Sequence, residues 1–529
     1  MLSRILSTGN ITDDTSELEK TLDQFFLIIM GIIVLMMQCG FAFLEAGSVR
    51  SKNTTNLLLK NLLDSFVAGI AYWTLGFAFA YGEGNGFIGW HYFASSNLPT
   101  SGLAFFFFQY VFAATAATIV SGALAERCEM VAYFVYSFVI TAFIYPVVTH
   151  WVWHSNGWLR QGLSFEVNNF TVNIAFHDYS GGCVIHCLGG TAAFCGAIFL
   201  GPRIGRFHQE SKTVIQVRGH SLPFTALGGF ILLFGFLAFN GGSQMSISRP
   251  GDGTVMGAVV VNTVISGSTS GFLTLIVHRI GILGRTYSLL STMNGALAGM
   301  VAVCSGCNLY KPWAAPIVGV IAGVSFNITS WFMCKIKVDD PVDAVAVHFG
   351  GGVWGVLAVA FLRYDFGILI RWDMFSALLL AWQFVGLISI VAWTGALCSL
   401  VFGTLKLTGT FRVSAEMEIK GLDIPKHGEP AYPLESYGHG YTENITTVME
   451  DGQLSSTHLV NQNGAVPDGK DVGPYESPEV KVMNDHHHQH QEPQNAETTV
   501  ILHSTDNDQQ KTDGHMNSTN IGDNESTAL

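Results

Sequence analysis

The sequence alternates between long apolar runs and short polar segments, and each run is long enough to cross a lipid bilayer as an α-helix, which takes about 20 residues. Only 12% of the 529 residues are charged, against roughly 25% in soluble globular proteins. This pattern predicts an all-α polytopic membrane protein with about eleven transmembrane helices, and it excludes a nucleic-acid-binding protein, a collagen and a wholly disordered chain. The expected spans lie near residues 22–46, 62–81, 102–124, 130–152, 181–201, 222–241, 254–277, 287–305, 312–333, 343–362 and 376–405.

The distribution of Lys and Arg predicts the orientation of these spans. Loops that follow the odd-numbered spans hold 12 Lys and Arg, whereas loops that follow the even-numbered spans hold 5. Positively charged loops tend to remain in the cytoplasm, so we expect the N-terminus outside and the C-terminus inside. Asn10 and Asn169 begin Asn-x-Thr sequons on the expected outer side, and both are candidates for glycosylation.

The acidic charge is confined to the C-terminal region. Residues 1–411 hold 20 Lys and Arg against 19 Asp and Glu, whereas residues 412–529 hold 6 against 20. From about Glu435 onward, apolar residues are too sparse to bury a core. The histidine tract at 486–490 is explained either as a weak metal site or as solvated low-complexity sequence. We expect no metal or other cofactor. The predicted organisation is an extracellular N-terminus (1–21), a helical domain (22–411), a short cytoplasmic segment (412–434) and a disordered acidic cytoplasmic tail (435–529).

Two segments share the pattern Asp, seven residues, His, two residues, Gly-Gly. They are Asp178–Gly190, which contains His186, and Asp340–Gly352, which contains His348. The segments open the fifth and the tenth expected spans, and an offset of five spans places the copies in opposite orientations. This predicts a five-plus-five inverted repeat with one extra helix, and in such proteins the substrate site lies between the two halves.

His186 and His348 occupy equivalent positions inside expected spans. Ionisable residues within a membrane are costly and are usually functional. Two unrelated packing histidines are the alternative, but the matched settings favour a pore in which a neutral pair shares one proton and offers donors and acceptors to a small guest. Asp178, Asp340 and Asp343 lie at span starts, where helix capping explains them. Asp178, at the expected outer mouth, would also attract a cation.

These segments resemble the signatures of the superfamily of ammonium transporters, methylammonium permeases and Rh proteins, and the resemblance extends over about residues 20–435. Ser180 stands where many of these signatures have Ala, and the acidic tail has no counterpart in the family pattern. Trp153 and Ser243 indicate the ammonium-transporter branch rather than the Rh branch. The segments that carry the resemblance are Asp178–Gly190, Asp339–Gly355, Phe108–Ala113, Gly122–Arg127, His150–Trp153, Phe239–Ser243 and Gly421–Tyr432.

The resemblance implies a homotrimer in the plasma membrane with one pore in each subunit. It implies that Phe112, Trp153 and Ser243 recruit ammonium at the outer face, and that His186 and His348 line the pore. Further implied roles are a stacked aromatic gate, support of the cation site, and regulation by the segment 412–434, which cytoplasmic regulators are expected to contact. The residues concerned are Phe108 or Phe112 with Phe239 for the gate, Asp178 and Asp343 for support, and Gly421, Asp423, His427, Gly428, Glu429 and Tyr432 for regulation.

Physical chemistry fits these implied roles. Aromatic faces attract cations, although Trp residues also collect at membrane surfaces for other reasons. Ammonium resembles potassium in size and charge, so a ring of carbonyls would bind either ion. Ammonium can lose a proton and cross as neutral ammonia, which potassium cannot do. The substrate is therefore expected to be ammonium or ammonia, with methylammonium as an analogue.

Three functions from different classes remain open: an ammonium transporter, with or without proton co-transfer, a neutral gas channel of the Rh type, and an ammonium sensor with little flux. A membrane enzyme is disfavoured, because no nucleophile motif, paired carboxylates or metal-ligand cluster stands out. Cys304 and Cys307 have the spacing of a redox pair, but they lack a thioredoxin-like context.

Overall fold

The computed structural model describes residues 11–167, 170–208, 213–282, 285–437, 445–448 and 454–457. The two sequon asparagines, Asn10 and Asn169, lie outside the described residues, as does the histidine tract at 486–490. The described part of the chain is mostly helical, which confirms the predicted all-α class.

Seventeen α-helices occur in the described part of the chain. They are α1 (Ile11–Leu35), α2 (Met37–Ser48), α3 (Thr54–Ala71), α4 (Phe77–Tyr81), α5 (Leu103–Leu124), α6 (Met130–Val139), α7 (Tyr145–Trp153), α8 (Trp158–Gln161), α9 (Leu188–Leu200), α10 (Leu222–Gly242), α11 (Asp252–Arg279), α12 (Leu289–Val303), α13 (Ala315–Lys335), α14 (Gly351–Leu362), α15 (Ile368–Arg371), α16 (Met374–Leu407) and α17 (Ala415–Lys420).

Shorter helical segments join or extend several of these helices. Five are π-helical, with wider turns than an α-helix: Tyr72–Gly76, Ile140–Ile144, Gly182–Cys187, Val345–Gly350 and Asp423–His427. Four are short 3₁₀ turns: Ser51–Asn53, Phe93–Ser95, Thr100–Gly102 and Leu434–Tyr437.

Ten helical stretches among the described residues are long and apolar enough to cross a membrane, against about eleven expected. The eighth expected span corresponds to α12, which has 15 residues and a length of about 22 Å, less than the hydrocarbon thickness of about 30 Å. Ser288 caps its start by accepting a hydrogen bond from Ser291 N, and the chain turns after Val303. The ten stretches are Thr15–Ser48, Ser51–Tyr81, Thr100–Leu124, Met130–Gln161, Gly182–Leu200, Leu222–Gly242, Asp252–Arg279, Ala315–Lys335, Val345–Leu362 and Met374–Leu407.

Two antiparallel strand pairs complete the described structure. β1 (Leu163–Val167) pairs with β2 (Phe170–Ile174), with Leu163 opposite Ile174, between the fourth and fifth helical stretches. β3 (Ile445–Val448) pairs with β4 (Leu454–Thr457) inside the segment expected to be disordered. Each of the latter strands has four residues, too few for an independently stable unit.

Small side chains allow neighbouring helices to approach closely. Ser266 and Ser270 of α11 donate hydrogen bonds to the carbonyls of Gly299 and Gly295 in α12, at 2.7 and 2.6 Å. A Cβ atom on Gly299 would lie 2.5 Å from Ser266 O. Small residues and short polar contacts of this kind replace the hydrophobic effect as the force that holds helices together in lipid.

The repeat motif forms the contact between the two halves. Each copy has a π-helical turn before its glycine pair, and the second glycine of each pair packs on the other copy. A Cβ on Gly190 would lie 2.4 Å from Phe349 N, and a Cβ on Gly352 would lie 2.5 Å from Gly182 O. Only glycine permits both approaches, and the reciprocity is the pattern expected of an inverted repeat.

Candidate substrate pathway

A cavity of about 320 Å³ lies beside the end of α7, and we name it the Trp153 cavity. It contains all three residues expected to recruit a cation: Phe112, Trp153 and Ser243. Its lining is Tyr81, Phe105, Phe108, Gln109, Phe112, Val152, Trp153, Arg160, Phe176, His177, Asp178, Tyr179, Ser243, Gln244, Met245 and Asn308.

Hydrogen bonds fix the polar groups of this cavity. Trp153 Nε1 donates to Asp178 O at 2.7 Å, which holds the indole against the start of the first repeat copy. Ser243 Oγ donates to Phe239 O at 2.8 Å, so its lone pairs remain able to accept. The Trp153 and Phe112 ring centroids are 6.4 Å apart. An indole ring, a phenyl ring and an acceptor oxygen therefore line one space.

Three buried phenylalanines form a cluster at the Trp153 cavity: Phe108 and Phe112 line it, and Phe239 contacts Phe112. The centroids of Phe112 and Phe239 are 4.5 Å apart with an interplanar angle of 64°, and those of Phe108 and Phe112 are 4.8 Å apart at 72°. Phe112 is therefore the residue that contacts Phe239, and both pairs meet edge to face rather than stacked as the resemblance implied. The three side chains are at most 1% exposed, so the path is closed at this level.

His186 and His348 lie beyond the phenylalanines and contact each other directly. Their Nδ1 atoms are 3.1 Å apart, and the rings are nearly parallel, with an interplanar angle of 16°. One Nδ1 must donate and the other must accept. Nε2 of His186 is buried and has no hydrogen-bond partner among the described residues, whereas most buried polar atoms are paired. The pair thus presents an unpaired polar atom in an apolar passage.

A second, smaller cavity of about 30 Å³ lies on the other side of the histidine pair, and we name it the Glu45 cavity. Its volume suits about one water-sized guest. Its lining is apolar apart from a few polar side chains, and comprises Phe41, Leu44, Glu45, Thr118, Ile119, Leu232, Phe236, Asn294, Leu297, Val342, Ala344, Val347 and His348.

The aspartates of the two repeat copies cap the π-helical turns. Asp178 Oδ2 accepts from Cys183 N and Val184 N at 2.8 and 2.9 Å, and burial raises the pKa of Asp178 above its ordinary value. Asp340 Oδ2 accepts from Val345 N at 2.7 Å. Burial and then the neighbouring Asp343 raise the pKa of Asp340 to about 7. These contacts place both aspartates in the capping role considered from the sequence.

The two residues expected to support the cation site are in different places. Asp178 lines the Trp153 cavity, and its carbonyl holds Trp153. Asp343 lines neither of the two cavities; its carboxylate accepts from Ser330 Oγ at 2.8 Å. Burial raises the pKa of Asp343. The structure therefore brings Asp178 to the site and leaves Asp343 beside α13.

Sequence reasoning missed Glu45, Phe41 and Phe236. Phe236 lies 5.7 Å from His186 and Phe41 lies 6.3 Å from His348, measured between ring centroids. A second repeat was present in the sequence: Gly40-Phe-Ala-Phe-Leu-Glu-Ala-Gly-Ser48 matches Gly235-Phe-Leu-Ala-Phe-Asn-Gly-Gly-Ser243 at the glycines, the phenylalanine and the serine that open and close it. This match between the first and sixth spans, like the match between the fifth and tenth, is the sequence signal that indicates these residues.

The segment 412–434 folds back on the chain's own helices. Leu422 N, next to Gly421, donates to Lys52 O and to the side chain of Asn53, each at 3.0 Å. Asp423 Oδ1 accepts from Asn56 N at 2.9 Å. Burial raises the pKa of Asp423.

The other four residues that are expected to act in regulation differ in their contacts. His427 Nε2 lies 2.8 Å from Asn56 Nδ2, and Tyr432 Oη lies 2.8 Å from His220 Nε2. Gly428 ends the π-helical turn with a φ of 66°, and Glu429 is exposed. His427 and Tyr432 therefore anchor the segment, whereas Gly428 shapes its backbone.

Comparison with known proteins gives consistent results. A sequence model described as "Ammonium Transporter Family" matches residues 24–432. The chain is similar to Putative ammonium transporter 1 of Caenorhabditis elegans, with 46% identity over 80% of this chain and 81% of that protein. It is also similar to Ammonium transporter 1 member 3 of Solanum lycopersicum, with 37% identity over 78% of this chain and 93% of that protein.

Solved structures show the same arrangement of helices. A chain titled "Sensor Amt Protein" superposes with a TM-score of 0.71 and 32% identity, covering 78% of this chain and 100% of that chain. The crystal structure of Candida albicans Mep2 superposes with a TM-score of 0.65 and 22% identity, covering 75% of this chain and 87% of that chain. The latter likeness concerns the fold alone.

Proposed function

Because the chain belongs to the ammonium transporter family and is a multi-pass membrane transport protein rather than an enzyme, we propose that each chain contains its own conduction pathway for ammonium. The pathway begins at the Trp153 cavity, passes Phe112 and Phe239, and continues along the hydrogen-bonded pair of His186 and His348 to the Glu45 cavity. One observation carries this proposal: the three side chains suited to a cation line one cavity, and one of them, Phe112, contacts Phe239, whose ring centroid lies 5.4 Å from that of His186.

Recruitment uses the chemistry of the Trp153 cavity. Ammonium is a compact cation with four N–H donors, and a desolvated aromatic face attracts a cation by about 2 kcal/mol. Trp153 supplies the face and Ser243 an acceptor oxygen. Burial lowers the pKa of His177 in the same cavity to about 4, so this imidazole adds no positive charge near pH 7.

Passage beyond the phenylalanines requires loss of charge. The lining there is apolar, and transfer of an ion into such surroundings is very costly. Ammonium therefore gives a proton to water in the Trp153 cavity, so that an N–H bond breaks and hydronium forms, and it crosses as ammonia, which hydrogen-bonds to the histidine pair. Potassium has no proton to lose, so the same barrier excludes it. Transport carries charge if the proton follows along the histidines and is neutral if it stays behind.

The deciding experiment is to measure uptake and current together, using ammonium and methylammonium, in cells that lack their own ammonium carriers. Saturable uptake that potassium does not share is the expected result. Current proportional to uptake would identify proton co-transfer. Uptake without current would identify the neutral route, and neither signal at normal surface abundance would contradict a transport function.

Sensing with little flux is the second candidate, because a solved structure titled "Sensor Amt Protein" aligns over its full length with this chain at 32% identity. In that case ammonium binding at the Trp153 cavity would change a signal carried by the cytoplasmic segments. Flux per molecule separates the candidates: a sensor would bind ammonium with normal saturation while its turnover stays far below that of a transporter.

We further propose a homotrimeric assembly in the plasma membrane, oriented with the Trp153 cavity outside. Large apolar side chains on several spanning helices are exposed in the single chain, among them Phe230, Phe234 and Phe272, and lipid or neighbouring subunits would cover them. Native mass spectrometry in mild detergent measures the number of subunits. Surface labelling of an engineered cysteine in the β1–β2 hairpin tests the orientation.

A further inference from the structure

Glu45 is a buried acid on the wall of the pathway. It belongs to α2, is 1% exposed, and lines the Glu45 cavity together with His348. Ser121 Oγ donates to its carboxyl group, at 2.7 Å from Oε1 and 2.5 Å from Oε2, and Asn61 Nδ2 donates at 2.9 Å. No Lys, Arg or His of the described ranges forms an ion pair with it. Its bonding is therefore entirely to neutral donors.

The charged and titratable groups around Glu45 are engaged elsewhere. From α3, Lys60 Nζ donates to Cys128 O at 2.6 Å and lies over the Tyr133 ring, while Asp64 accepts from Ser137 and Thr118. Tyr133 and Tyr136 of α6 face the same region, and His348 faces Glu45 across the cavity. None of these groups cancels a charge on Glu45 by direct contact.

The inverted repeat shows that the fold does not need an acid at this position. The counterpart of Glu45 in the second half is Asn240, whose Nδ2 donates to Thr263 Oγ1 at 3.0 Å. Asn240 is as fully buried as Glu45 and lines neither cavity. A neutral amide therefore satisfies the packing requirement in one half. Glu45, which lines the Glu45 cavity, is instead a group that can gain and lose a proton.

We infer that Glu45 is an acid–base group of the conduction pathway that returns a proton to ammonia after it passes the histidine pair. The inference rests on the proposed transport function. The carboxylic acid gives its proton to ammonia in the Glu45 cavity, so that an O–H bond breaks, an N–H bond forms, and ammonium and a carboxylate result. The carboxylate regains a proton from hydronium in the water on that side. In reverse transport the carboxylate accepts a proton from ammonium.

Glu45→Gln tests this step because the amide keeps the size of the side chain and loses the proton. Asp64→Asn is the matched control: Asp64 is also a fully buried, hydrogen-bonded carboxyl, but it does not line the cavity. Glu45→Asp keeps an acid on a shorter stem. The measurement is the initial rate of labelled methylammonium uptake into cells that express the full chain, with external and cytosolic pH set independently and surface protein quantified.

We expect Glu45→Gln to lower uptake by about tenfold or more, in line with the loss of an acid–base group. It should also abolish the dependence of the rate on pH at the membrane face opposite the Trp153 cavity. The half-saturating concentration on the Trp153 side should stay unchanged. Glu45→Asp should retain a displaced pH profile. Asp64→Asn should keep the wild-type pH profile at both faces, whatever its rate.

Several outcomes would overturn the inference. One is wild-type rate and pH dependence in Glu45→Gln, and another is a reduced rate with an unchanged pH profile, which would make Glu45 a structural residue like Asp64. If Glu45→Gln does not reach the surface, an unshifted pH profile in Glu45→Asp overturns it instead. Absence of uptake in the wild type at normal surface abundance would contradict the transport function and not the role of Glu45 alone.

Discussion

A single hydrogen bond between two imidazoles determines what the middle of the proposed pathway can bind. Because the Nδ1 atoms of His186 and His348 are 3.1 Å apart, the proton they share leaves one Nε2 as a donor and the other as an acceptor. Ammonia, which has three donors and one lone pair, can hydrogen-bond with either atom. Potassium needs several oxygens around it, and the surrounding Phe41, Phe236 and Phe239 supply none.

Substitution of either histidine should therefore change selectivity more than folding. His186→Ala or His348→Ala removes an imidazole from between two cavities, so water would enter and a hydrated cation would no longer need to lose charge. We expect a potassium current to emerge while surface abundance stays normal. The ratio of potassium to ammonium current in voltage-clamped cells measures this. Wild-type flux, selectivity and pH dependence in both variants would refute the pore assignment.

Trp153 should determine the affinity for the cation. Trp153→Leu removes the aromatic face and the Nε1 hydrogen bond to Asp178 O. A loss of about 1–2 kcal/mol of cation–π attraction would raise the half-saturating ammonium concentration about 5- to 30-fold. Trp151→Leu is the control, because Trp151 Nε1 donates to Phe87 O and the residue does not line the cavity. An unchanged saturation curve in Trp153→Leu would indicate that Trp153 lies at the membrane surface for other reasons and does not bind the cation.

At the scale of secondary-structure elements, the two π-helical turns organise the contact between the halves. Gly182–Cys187 and Val345–Gly350 each carry one histidine of the proposed pathway and each begin at an aspartate cap. Wide turns of this type occur frequently at functional sites. The caps are not electrostatically alike, since Asp340 is also close to Asp343, which helps to raise its pKa to about 7.

The raised pKa of Asp340 predicts how stability depends on pH. An aspartate whose folded-state pKa lies above its unfolded-state value binds its proton more tightly when folded, so the free energy of unfolding falls as pH rises between about 4 and 7. Asp340→Asn keeps an acceptor for Val345 N without the charge. The variant should therefore lose less thermal stability than the wild type between pH 5 and pH 8, with a difference on the order of a few kcal/mol.

Thermal unfolding in detergent, followed by intrinsic fluorescence at both pH values, measures this difference. Asp373→Asn is a suitable control, because Asp373 also caps a helix but is partly exposed, and hydrogen bonds from Ser376 lower its pKa. An equal loss of stability in the wild type and in Asp340→Asn would refute the prediction.

Elements and sites were predictable from the sequence to different degrees. Long apolar runs predicted ten of the helical stretches, because a chain that crosses lipid must form continuous helices of sufficient length. The length of α12 was not predictable, because the expected span 287–305 also includes the capping residue Ser288 and the turn that follows Val303. The π-helical turns depend on contacts between distant segments, such as that of Gly190 with Phe349. Glu45 was missed because a lone acid near the end of an apolar run looks like an interfacial residue.

At the scale of the whole molecule, a chain of ion pairs and hydrogen bonds links the C-terminal segment to the second repeat copy. Glu418 of α17 pairs with Arg412, and its carbonyl contacts Arg50, which pairs with Glu126 at 2.6 Å. Arg203 lies 3.7 Å from Glu126 and 2.7 Å from Asp339. Although burial opposes it, Arg203 lowers the pKa of Asp339 to about 2. Asp340, the next residue, caps the turn that carries His348.

Gly421 should be essential for the contact of the segment 412–434 with Lys52. Its φ is 95°, and a Cβ atom would lie 2.5 Å from the Lys52 side chain, so Gly421→Ala combines backbone strain with a clash. We expect flux per surface protein to fall several-fold. Gly428 has a φ of 66° with no atom within 4 Å of an added Cβ, and Asn tolerates this conformation. Gly428→Asn should therefore transport nearly normally, and an equal loss in both variants would refute a role for the Lys52 contact.

Mixing Gly421→Ala with wild-type chains tests whether the proposed trimer couples its pores. If each C-terminal segment acts only on its own chain, as the contacts with Lys52 and Asn56 indicate, the flux per surface protein falls in a straight line with the mutant fraction. If it also acts on a neighbour, a trimer with one mutant chain loses more than a third of its flux, and the curve falls more steeply. Co-expression at several ratios, with both forms tagged and quantified at the surface, gives this curve. Truncation after Tyr437 is the control. It keeps the described contacts of the segment, so it should leave flux nearly intact. A steep curve would show that coupling between subunits adds to the contacts within one chain.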